Sequence, residues 1–530
     1  MAPNNFVFSR RAFTQGAASL GLASFASGQT AGAKALESGI AASLDIDASG
    51  QTVAFNRMLF GQFLEHFHRQ VYGGVFEPGS RLSDEVGFRL DVVEALRELR
   101  VPIVRWPGGC FVSTYHWMDG VGKKRTPSFD KAWGVEDPNT FGTDEFVKWC
   151  RLIGAEPYIC TNAGTGFEEE MSDWVEYCNL ASQGRYARMR QENGHPDPFE
   201  VKYWSIGNEN YFSTELGSKT SAEWGMLVRE SAKLMRAVDS NIKLLAAATV
   251  DGEWTAPLLK TAGRWLNHIS IHGYWDALWE RGSRPADYLQ CMLRSRKPEE
   301  QIERAIKIID DNDFAGKIKI AFDEWNLRSW HHPGFPGGGA DKLEDILERD
   351  ENDRNETYTM ADALFSASFL NGCLRHAHHV EMACMAPVVN VRGPLFVHSN
   401  GVVKRTTFHV LKMYSDLLEA NVLPSTITSE WLQVGADKIP QVDALATRSA
   451  DQKKVAIALV NRDPIREGRI QLAGIRVRRA TLVTLDGDSP DAYNDVSRPT
   501  RVVPRSQQVA VERGVFQIPP HSVSVLSAEL

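Results

Sequence analysis

The feature that most constrains the fold is an alternation of short apolar runs with longer segments of helical periodicity, between about residues 57 and 415. Such alternation is typical of βα units, in which each strand of a parallel sheet is followed by a helix. Eight runs are candidate strands: Leu59–Glu65, Ile103–Trp106, Pro157–Thr161, Lys202–Ile206, Lys243–Ala247, His268–His272, Lys317–Phe322 and Val380–Ala386. They predict an α/β fold, a (β/α)8 TIM barrel with insertions.

The pattern changes after about Leu418, where short alternating runs are separated by Asp, Gly and Pro. These runs are Val455–Val460, Arg469–Leu472, Ala480–Leu485, Gln508–Val511 and Ser522–Leu526. They are typical of an antiparallel β-sandwich, and the alternating segment Ser43–Phe55 is predicted to add a strand to it. We therefore predict a barrel over residues 57–418 and a C-terminal β-sandwich domain formed by residues 40–56 and 419–530.

The first 35 residues are predicted to be an export signal. Arg10 and Arg11 precede a Gly-, Ala- and Ser-rich run over Gly16–Ala26, and Ala31 and Ala33 flank a glycine as in a small-residue cleavage site. The paired arginines resemble a twin-arginine signal, so we expect a periplasmic or secreted protein. A disordered cytoplasmic extension is the alternative.

Charge and cysteine usage exclude several classes of partner. The net charge of −8 favours neither nucleic acid nor an anionic membrane surface. No stretch after residue 30 approaches the ~20 apolar residues that span a bilayer. The seven cysteines, an odd number, include no C-x-x-C pair and no zinc spacing, so at least one thiol is free or paired between chains. The sequence calls for no metal or organic cofactor.

Two glutamates directly follow candidate strands. Reacting groups of (β/α)8 barrels lie at the C-terminal ends of the strands. Glu209 follows the fourth candidate strand and Glu324 the seventh, each in a string rich in aromatic and amide side chains. Glycoside hydrolysis needs two carboxyl groups, one that protonates the leaving oxygen and one that attacks the anomeric carbon or activates water. A lone glutamate is usually a solvated surface residue, but this paired placement predicts a glycosidase.

Longer motifs resemble glycoside hydrolase family 51, the α-L-arabinofuranosidases, in the large clan of retaining glycosidases built on this barrel. In chain order the motifs are Phe60–His66, Arg105–Gly109, Trp204–Glu209, His272–Tyr274, Phe322–Asn326 and Val389–Val391. The resemblance runs from about residue 43 to the C-terminus. It implies an exo-acting enzyme that releases terminal α-L-arabinofuranosyl residues from arabinan or arabinoxylan by double displacement.

The resemblance also implies residue roles. Glu209 would be the acid/base and Glu324 the nucleophile, with their carboxyl groups roughly 5–5.5 Å apart. Arg105 could hold Glu324 as a carboxylate, and the negative Glu324 would keep Glu209 protonated until glycosylation consumes that charge. Asn208 would bind the sugar 2-hydroxyl and Glu65 the ring hydroxyls.

His272 and Tyr274 would position the nucleophile and the furanose. Core packing of these two side chains, and a structural ion pair for Arg105, stay open as alternatives. Trp117, Trp133 and Trp330 are either platforms for the aglycone or packing residues.

Two positions depart from the family pattern. Cys110 stands where family members commonly carry Asn, so an amide is replaced by a thiol that donates and accepts only weakly. Cys110 therefore either lines the −1 pocket with a weaker sugar contact or marks a pocket tuned to another furanose. Arg328 stands where many relatives place an aromatic residue.

Other possibilities for the function and its setting stay open. A related glycosidase could act on a β-D-galactofuranoside, an α-D-arabinofuranoside or a β-xyloside, and a catalytically dead carbohydrate-binding protein is the non-enzymatic reading. The family resemblance implies homo-oligomers, often hexamers. The insertion over residues 331–356 is either a mobile lid or a rim, and the sandwich is expected to be structural rather than a binding module.

Overall fold

A closed barrel of eight parallel strands forms the centre of the computed structural model, which describes residues 39–278, 284–329 and 353–530. The first to eighth barrel strands are Gly61–Phe63, Ile103–Trp106, Glu156–Thr161, Tyr203–Ile206, Lys243–Ala247, His268–Asp276, Lys319–Arg328 and Val380–Met385. Each strand pairs with the next in sequence, and the eighth closes on the first through Cys384 and Gly61. The predicted (β/α)8 barrel is confirmed.

Helices follow the barrel strands and bury their apolar faces. Within the described residues the α-helices are Leu90–Leu99, Thr143–Ile153, Glu168–Asn179, Arg185–Glu192, Ser221–Val238, Gly252–Ala262, Tyr288–Arg294, Lys297–Asp311, Met360–Arg375 and Thr406–Leu417. In the first of them Val92, Leu96 and Leu99 are buried at helical spacing. Met360–Arg375 is instead buried over nearly its whole length, because it packs against both barrel helices and sandwich strands.

The C-terminal region forms two facing sheets. The four-stranded sheet has the order Ser425–Ser429, Ala42–Ile46, Gly468–Ala473, Val515–Ile518. The seven-stranded sheet has the order Val53–Ala54, Asn421–Leu423, Val442–Arg448, Lys454–Asn461, Ser522–Glu529, Arg479–Leu485, Arg505–Ala510. Apolar side chains of both sheets, Leu44 and Leu526 among them, form a second hydrophobic core. The predicted sandwich is confirmed.

The segment before the barrel contributes to both sheets rather than to one. Ala42–Ile46 pairs with Ser425–Ser429 in antiparallel and with Gly468–Ala473 in parallel orientation, whereas Val53–Ala54 pairs with Asn421–Leu423. The expected single strand over Ser43–Phe55 is therefore divided by the turn at residues 47–50.

Small elements decorate the barrel and sandwich. Two-stranded ribbons pair Ser128–Asp130 with Val135–Asp137, Leu395–His398 with Gly401–Lys404, and Trp431–Val434 with Asp437–Pro440. Short 3-10 helices span Arg57–Phe60, Cys110–Thr114, Trp117–Gly120, Gly263–Trp265 and Asn355–Thr357.

The sixth and seventh barrel strands are longer than predicted. The sequence predicts that they end at His272 and Phe322, but they continue to Asp276 and Arg328. Their pairing continues through His272 with Glu324 and onward to the strand ends. This extension places the polar residues that follow the two apolar runs inside paired strands, directly after a register shift between Ser270 and His272.

Three predictions concern residues outside the described part of the chain: the export signal over residues 1–35, Trp330, and the insertion as far as residue 352. None of the described helices has the length and apolar character needed to cross a membrane. All seven cysteines carry free thiols, and each except the half-buried Cys110 is buried.

Candidate active site

Glu209 occupies a turn of unusual backbone conformation at the end of the fourth barrel strand. Gly207 and Glu209 have φ angles of 66° and 47°, in the left-handed region. A Cβ on Gly207 would lie 2.2 Å from Asn210 Oδ1, so only glycine fits there. A non-glycine residue in this region costs on the order of 1–3 kcal/mol, which the contacts of Glu209 must offset.

Glu324 receives hydrogen bonds on both carboxylate oxygens. Arg105 Nη1 donates to Oε2 at 2.7 Å, and the Tyr274 hydroxyl donates to Oε1 at 2.7 Å. His272 Nδ1 lies 3.5 Å from Oε2. Burial raises the pKa of Glu324, but the charges of His272 and Arg105 and the Tyr274 hydrogen bond outweigh burial and lower it. Glu324 is therefore held as an ionised carboxylate.

Arg105 connects Glu324 with Asn208, the residue directly before Glu209. Its guanidinium is fully buried, and Nη2 donates to Asn208 Oδ1 at 2.7 Å while Nη1 contacts Glu324. Arg105 Nε lies 3.4 Å from Asp323 Oδ2. The buried Asn208 Nδ2 has no hydrogen-bond partner among the described residues. Arg105 therefore fixes the orientation of the Asn208 amide, and Nδ2 remains available to donate a hydrogen bond to a bound acceptor.

His272 bridges the two glutamates. Its Nδ1 lies 2.9 Å from Glu209 Oε1, and its Nε2 lies 3.6 Å from Asp323 Oδ1. Burial lowers the pKa of His272, but Glu324, Asp323 and Glu209 raise it to about 10. As an imidazolium it donates to Oε1 of Glu209. One oxygen of Glu209, one of Glu324 and a ring nitrogen of His272 lie within 4.8 Å of one another.

Glu65 is a buried carboxyl group close to Glu324. Its Oε1 accepts from the Phe111 amide and from Trp133 Nε1, both at 3.0 Å. Burial and the charge of Glu324 raise the pKa of Glu65 to about 8, although these hydrogen bonds and Arg105 oppose the rise. At neutral pH Glu65 is therefore largely a carboxylic acid, which can donate to a hydroxyl group as well as accept.

Two glycines allow these carboxyl groups to approach the backbone after the second strand. A Cβ on Gly108 would lie 2.4 Å from Glu65 Cγ. A Cβ on Gly109 would lie 3.1 Å from Glu324 Oε2 and 3.4 Å from Glu65 Oε1. Side chains at either position would displace the carboxyl groups.

Cys110 follows these glycines and lies beside the predicted acid/base. Its Sγ, one oxygen of Glu209 and one of Glu215 lie within 4.8 Å of one another. Burial raises the pKa of Cys110 well above its ordinary value, and the charges of Glu215, Glu209 and Glu65 raise it further. Cys110 is therefore a neutral thiol in the pocket.

The structure thus gathers every predicted site residue at one end of the barrel. It adds three residues that the sequence analysis did not propose: Asp323, Glu215 and Arg392. Asp323 accepts from the Tyr158 hydroxyl and from Ser270 Oγ, both at 2.6 Å. Asp323 could have been proposed from the sequence, because it directly precedes Glu324.

Arg392 also could have been found from the sequence, since it follows the motif Val389–Val391. Its Nη2 donates to the Tyr274 hydroxyl at 2.9 Å, and its guanidinium lies 4.6 Å from the centre of that ring. Tyr274 therefore receives a hydrogen bond from a buried cation and donates one to Glu324.

The sequence analysis also named Trp117, Trp133 and Arg328, and these three residues have different environments. Trp117 is 1% exposed and stacks on Trp174, so it is a packing residue. Trp133 is half-buried, stacks on Phe67 and donates to Glu65, so it borders the site. Arg328 is buried away from Glu324.

Arg328 lies among acidic partners at the far end of the seventh strand. Its Nε lies 3.0 Å from Asp362 Oδ1, and its Nη1 donates to Asp276. Two buried aspartates thus balance the charge of Arg328.

Comparisons with known proteins agree over most of the chain. The domain family described as "Alpha-L-arabinofuranosidase 1 domain" matches residues 95–284, and "Alpha-L-arabinofuranosidase C-terminal domain" matches residues 323–522. Probable α-L-arabinofuranosidase C of Aspergillus clavatus is 33% identical over 517 residues, covering 91% of this chain and 96% of that protein.

Two further similarities involve bacterial proteins. An intracellular exo-α-(1→5)-L-arabinofuranosidase of Halalkalibacterium halodurans is 33% identical over 444 residues, covering 80% of this chain and 85% of its own length. A solved structure of the thermostable family 51 (GH51) α-L-arabinofuranosidase from Thermotoga petrophila has a TM-score of 0.81 at 33% identity, covering 92% of this chain and all of that one.

Proposed function

Because this chain belongs to glycoside hydrolase family 51, the α-L-arabinofuranosidases, we propose that it hydrolyses terminal α-L-arabinofuranosides with retention of configuration. The observation that carries the mechanism is the spacing of the two glutamates, one oxygen of each lying within 4.8 Å of the other. Retaining enzymes hold their carboxyl groups about 5–5.5 Å apart, whereas inverting enzymes leave about 6.5–9.5 Å for a water molecule. Nearest oxygens this close fit the shorter of the two separations, and together with the family they support direct attack on the sugar.

In the first step Glu324 attacks the anomeric carbon and Glu209 gives its proton to the leaving oxygen. The bond from carbon to the aglycone breaks, and an ester forms between the sugar and Glu324. The hydrogen bonds from Arg105 and Tyr274 support this assignment, because they stabilise the carboxylate that the attack requires.

In the second step Glu209 takes a proton from water as the water oxygen attacks the anomeric carbon. The bond from that carbon to Glu324 breaks, and arabinose is released. Glu324 returns as a carboxylate and Glu209 as an acid, so no proton is gained or lost over the cycle. His272 supports both steps, because its contact at 2.9 Å holds Glu209 Oε1 in place.

The remaining contacts fit a furanose in the pocket. Asn208 Nδ2 is an unpartnered donor fixed by Arg105, and we propose that it binds the sugar 2-hydroxyl. Glu65 would bind the other ring hydroxyls, donating or accepting according to its protonation. Tyr274 would hold the nucleophile against the ring, and Cys110 would line the pocket as a neutral thiol.

We further propose exo-action on arabinan- or arabinoxylan-type glycans, which the exo-α-(1→5)-L-arabinofuranosidase among the relatives supports. The thiol of Cys110 in the pocket favours one alternative, a same-clan enzyme for another glycoside such as a β-D-galactofuranoside. A panel of 4-nitrophenyl glycosides separates the two. Turnover of the α-L-arabinofuranoside slower than that of another glycoside would overturn the arabinofuranoside assignment.

Substitutions test the residue roles on the same substrate. We expect Glu324→Ala to abolish turnover, and activity that survives it rules out this nucleophile. Glu209→Ala should lose less on substrates with good leaving groups, which need no protonation, and azide should partly restore it. Glu170→Gln is a matched control, since Glu170 is a buried carboxylate paired with His116 at 2.9 Å instead of with the catalytic groups.

Export and self-association are separate proposals. The paired arginines and the small-residue site support a twin-arginine signal cleaved near Ala33. Mass spectrometry of protein recovered outside the cytoplasm tests cleavage, and an intact Met1 there would refute it. A homo-oligomer is proposed from the family, and a monomeric mass by light scattering would refute that.

A further inference from the structure

Arg392 is a buried cation beside the nucleophile to which the proposed function assigns no substrate contact. The residue is 6% exposed. Its Nη2 donates to the Tyr274 hydroxyl at 2.9 Å, and that hydroxyl donates to Glu324 Oε1 at 2.7 Å. Nε and Nη1 are also buried, and neither has a hydrogen-bond partner among the described residues. More than half of the N–H donors of this guanidinium are therefore unused.

Burial of a cation with unused donors has a large cost, because the charge and the N–H groups lose their hydration. Part of that cost is offset by the Tyr274 ring, whose centre lies 4.6 Å from the guanidinium carbon. The charge of Glu324 also favours the cation, but within the described part of the chain no carboxylate accepts a hydrogen bond from Arg392. The acceptors that are missing within the protein are expected from a molecule bound in the pocket.

The backbone directly before Arg392, in the loop after the eighth barrel strand, is strained. Asn390 and Val391 have φ angles of 57° and 47°, and a β-branched residue rarely adopts this left-handed conformation. Two side chains from outside the loop enforce it: the Val391 amide donates to Asp353 Oδ1 at 2.6 Å, and the Val391 carbonyl accepts from Arg405 Nη1 at 2.7 Å. Strain that the surrounding structure enforces in this way is concentrated at ligand sites. The loop thus holds Arg392 in a fixed position beside Tyr274.

We propose that Arg392 is a substrate-binding residue that donates hydrogen bonds to the 5-hydroxyl of the terminal furanose, an inference that rests on the proposed function. Arg105 links Glu324 Oε2 to Asn208, the proposed partner of the sugar 2-hydroxyl. Tyr274 links the other oxygen, Oε1, to Arg392. The anomeric carbon is bonded to carbon 2 and to the ring oxygen. With carbon 2 toward Asn208, the ring oxygen and the hydroxymethyl arm beyond it extend toward Arg392.

The charge of Arg392 favours the 5-hydroxyl over the ring oxygen as acceptor. Positive charge develops on the ring oxygen in the oxocarbenium-like transition state, and a cation bound there would oppose it. The 5-hydroxyl lies outside the ring and accepts from a guanidinium in the ground state and in the transition state alike. Internal residues of a 1,5-linked arabinan carry the next sugar on that oxygen. A buried contact to a free 5-hydroxyl therefore favours chain ends and agrees with exo-action.

The test removes the two partners separately and together. We measure kcat/KM at neutral pH for the wild type and Arg392→Met, with 4-nitrophenyl α-L-arabinofuranoside and with its 5-deoxy analogue. A hydrogen bond from a charged donor corresponds to a preference of the wild type for the parent glycoside of about 10- to 100-fold. In Arg392→Met that preference should fall below about threefold, because the 5-hydroxyl has lost its partner.

Two controls separate this contact from other effects of the substitution. Tyr274→Phe removes the hydroxyl that Arg392 holds, and it should lower kcat/KM for both glycosides by the same factor, since Arg392 keeps its donors for the sugar. The 3-deoxy analogue lacks a ring hydroxyl proposed to bind Glu65. Arg392→Met should leave the preference for the parent over this analogue unchanged.

Three results would overturn the inference. Equal losses of Arg392→Met on the parent and 5-deoxy glycosides would mean that Arg392 acts only through Tyr274. A selective change with the 3-deoxy analogue would assign a different hydroxyl, and a wild-type preference below about threefold would exclude the contact without any variant. Arg392→Gln repeats the test if Arg392→Met does not fold, as judged by circular dichroism. Failure of the proposed function looks different: the wild type would turn over another glycoside of the panel faster than the α-L-arabinofuranoside.

Discussion

The hydrogen bond from Tyr274 to Glu324 can be removed by one substitution, which tests how the nucleophile is kept ionised. In Tyr274→Phe the ring remains and the donor at 2.7 Å from Glu324 Oε1 is lost. A hydrogen bond to a charged group contributes about 1.5–3 kcal/mol, which corresponds to about 1–2 pKa units. Because the bond lowers the pKa of Glu324, its loss raises that pKa, and the acid limb of kcat/KM should move to higher pH by about 1–2 units.

The assay is the pH dependence of kcat/KM with 4-nitrophenyl α-L-arabinofuranoside, which reports ionisations of the free enzyme. Tyr158→Phe is the matched control, because its hydroxyl donates at 2.6 Å to Asp323 instead of Glu324. We expect the control to move the acid limb much less. An unmoved limb in Tyr274→Phe, or an equal shift in both variants, would refute the reasoning.

Three further predictions concern stability and geometry. Burial and the charge of Glu324 raise the pKa of Glu65 from 4.5 to about 8. Protonation of Glu65 therefore stabilises the folded state fully below pH 4.5, and this stabilisation is lost as the pH rises through 8. Glu65→Gln should flatten that fall in melting temperature, and an unchanged fall contradicts this. Gly109→Ala places a Cβ 3.1 Å from Glu324 Oε2 and should lower kcat at least about tenfold; unaltered kcat disproves the close fit. Arg328→Met leaves Asp362 without its buried partner and should cost about 3–5 kcal/mol in urea unfolding, a loss below ~1 kcal/mol being inconsistent.

The barrel could be predicted because its strands are local apolar runs. Each of the eight candidate runs overlaps an observed barrel strand. The strand ends were harder, since Glu324 to Arg328 are partly polar and yet buried. Their burial depends on partners such as Arg105 and Asp362, which lie far away in the sequence and leave no local signal.

In the first half of the sandwich, too, a strand was not predicted from the sequence. Val442–Arg448 is a buried strand of the seven-stranded sheet, but it was not among the predicted runs. Its neighbours in the sheet, Asn421–Leu423 and Lys454–Asn461, are what make its short and partly polar sequence a strand.

Some residues of the site could be predicted from the sequence and others could not. Glu209 and Glu324 could be predicted from their places after apolar runs, and Arg105 from its place at the end of the second strand. Glu215 could not, because it lies in an irregular loop and becomes part of the pocket only through Ser113 and the fold of two separate segments. The charge of His272, too, depends on three carboxyl groups brought together by different strands.

The central claim is that Glu324 forms a covalent bond to the sugar. In Glu209→Ala, an activated 2,4-dinitrophenyl α-L-arabinofuranoside should still glycosylate the enzyme, while the second step, which lacks its base, becomes slow. Mass spectrometry of the quenched and digested protein then measures where the sugar is attached. We expect one pentosyl residue on the peptide that contains Glu324. A label on another carboxyl group, or no label while product of inverted configuration accumulates, would contradict it.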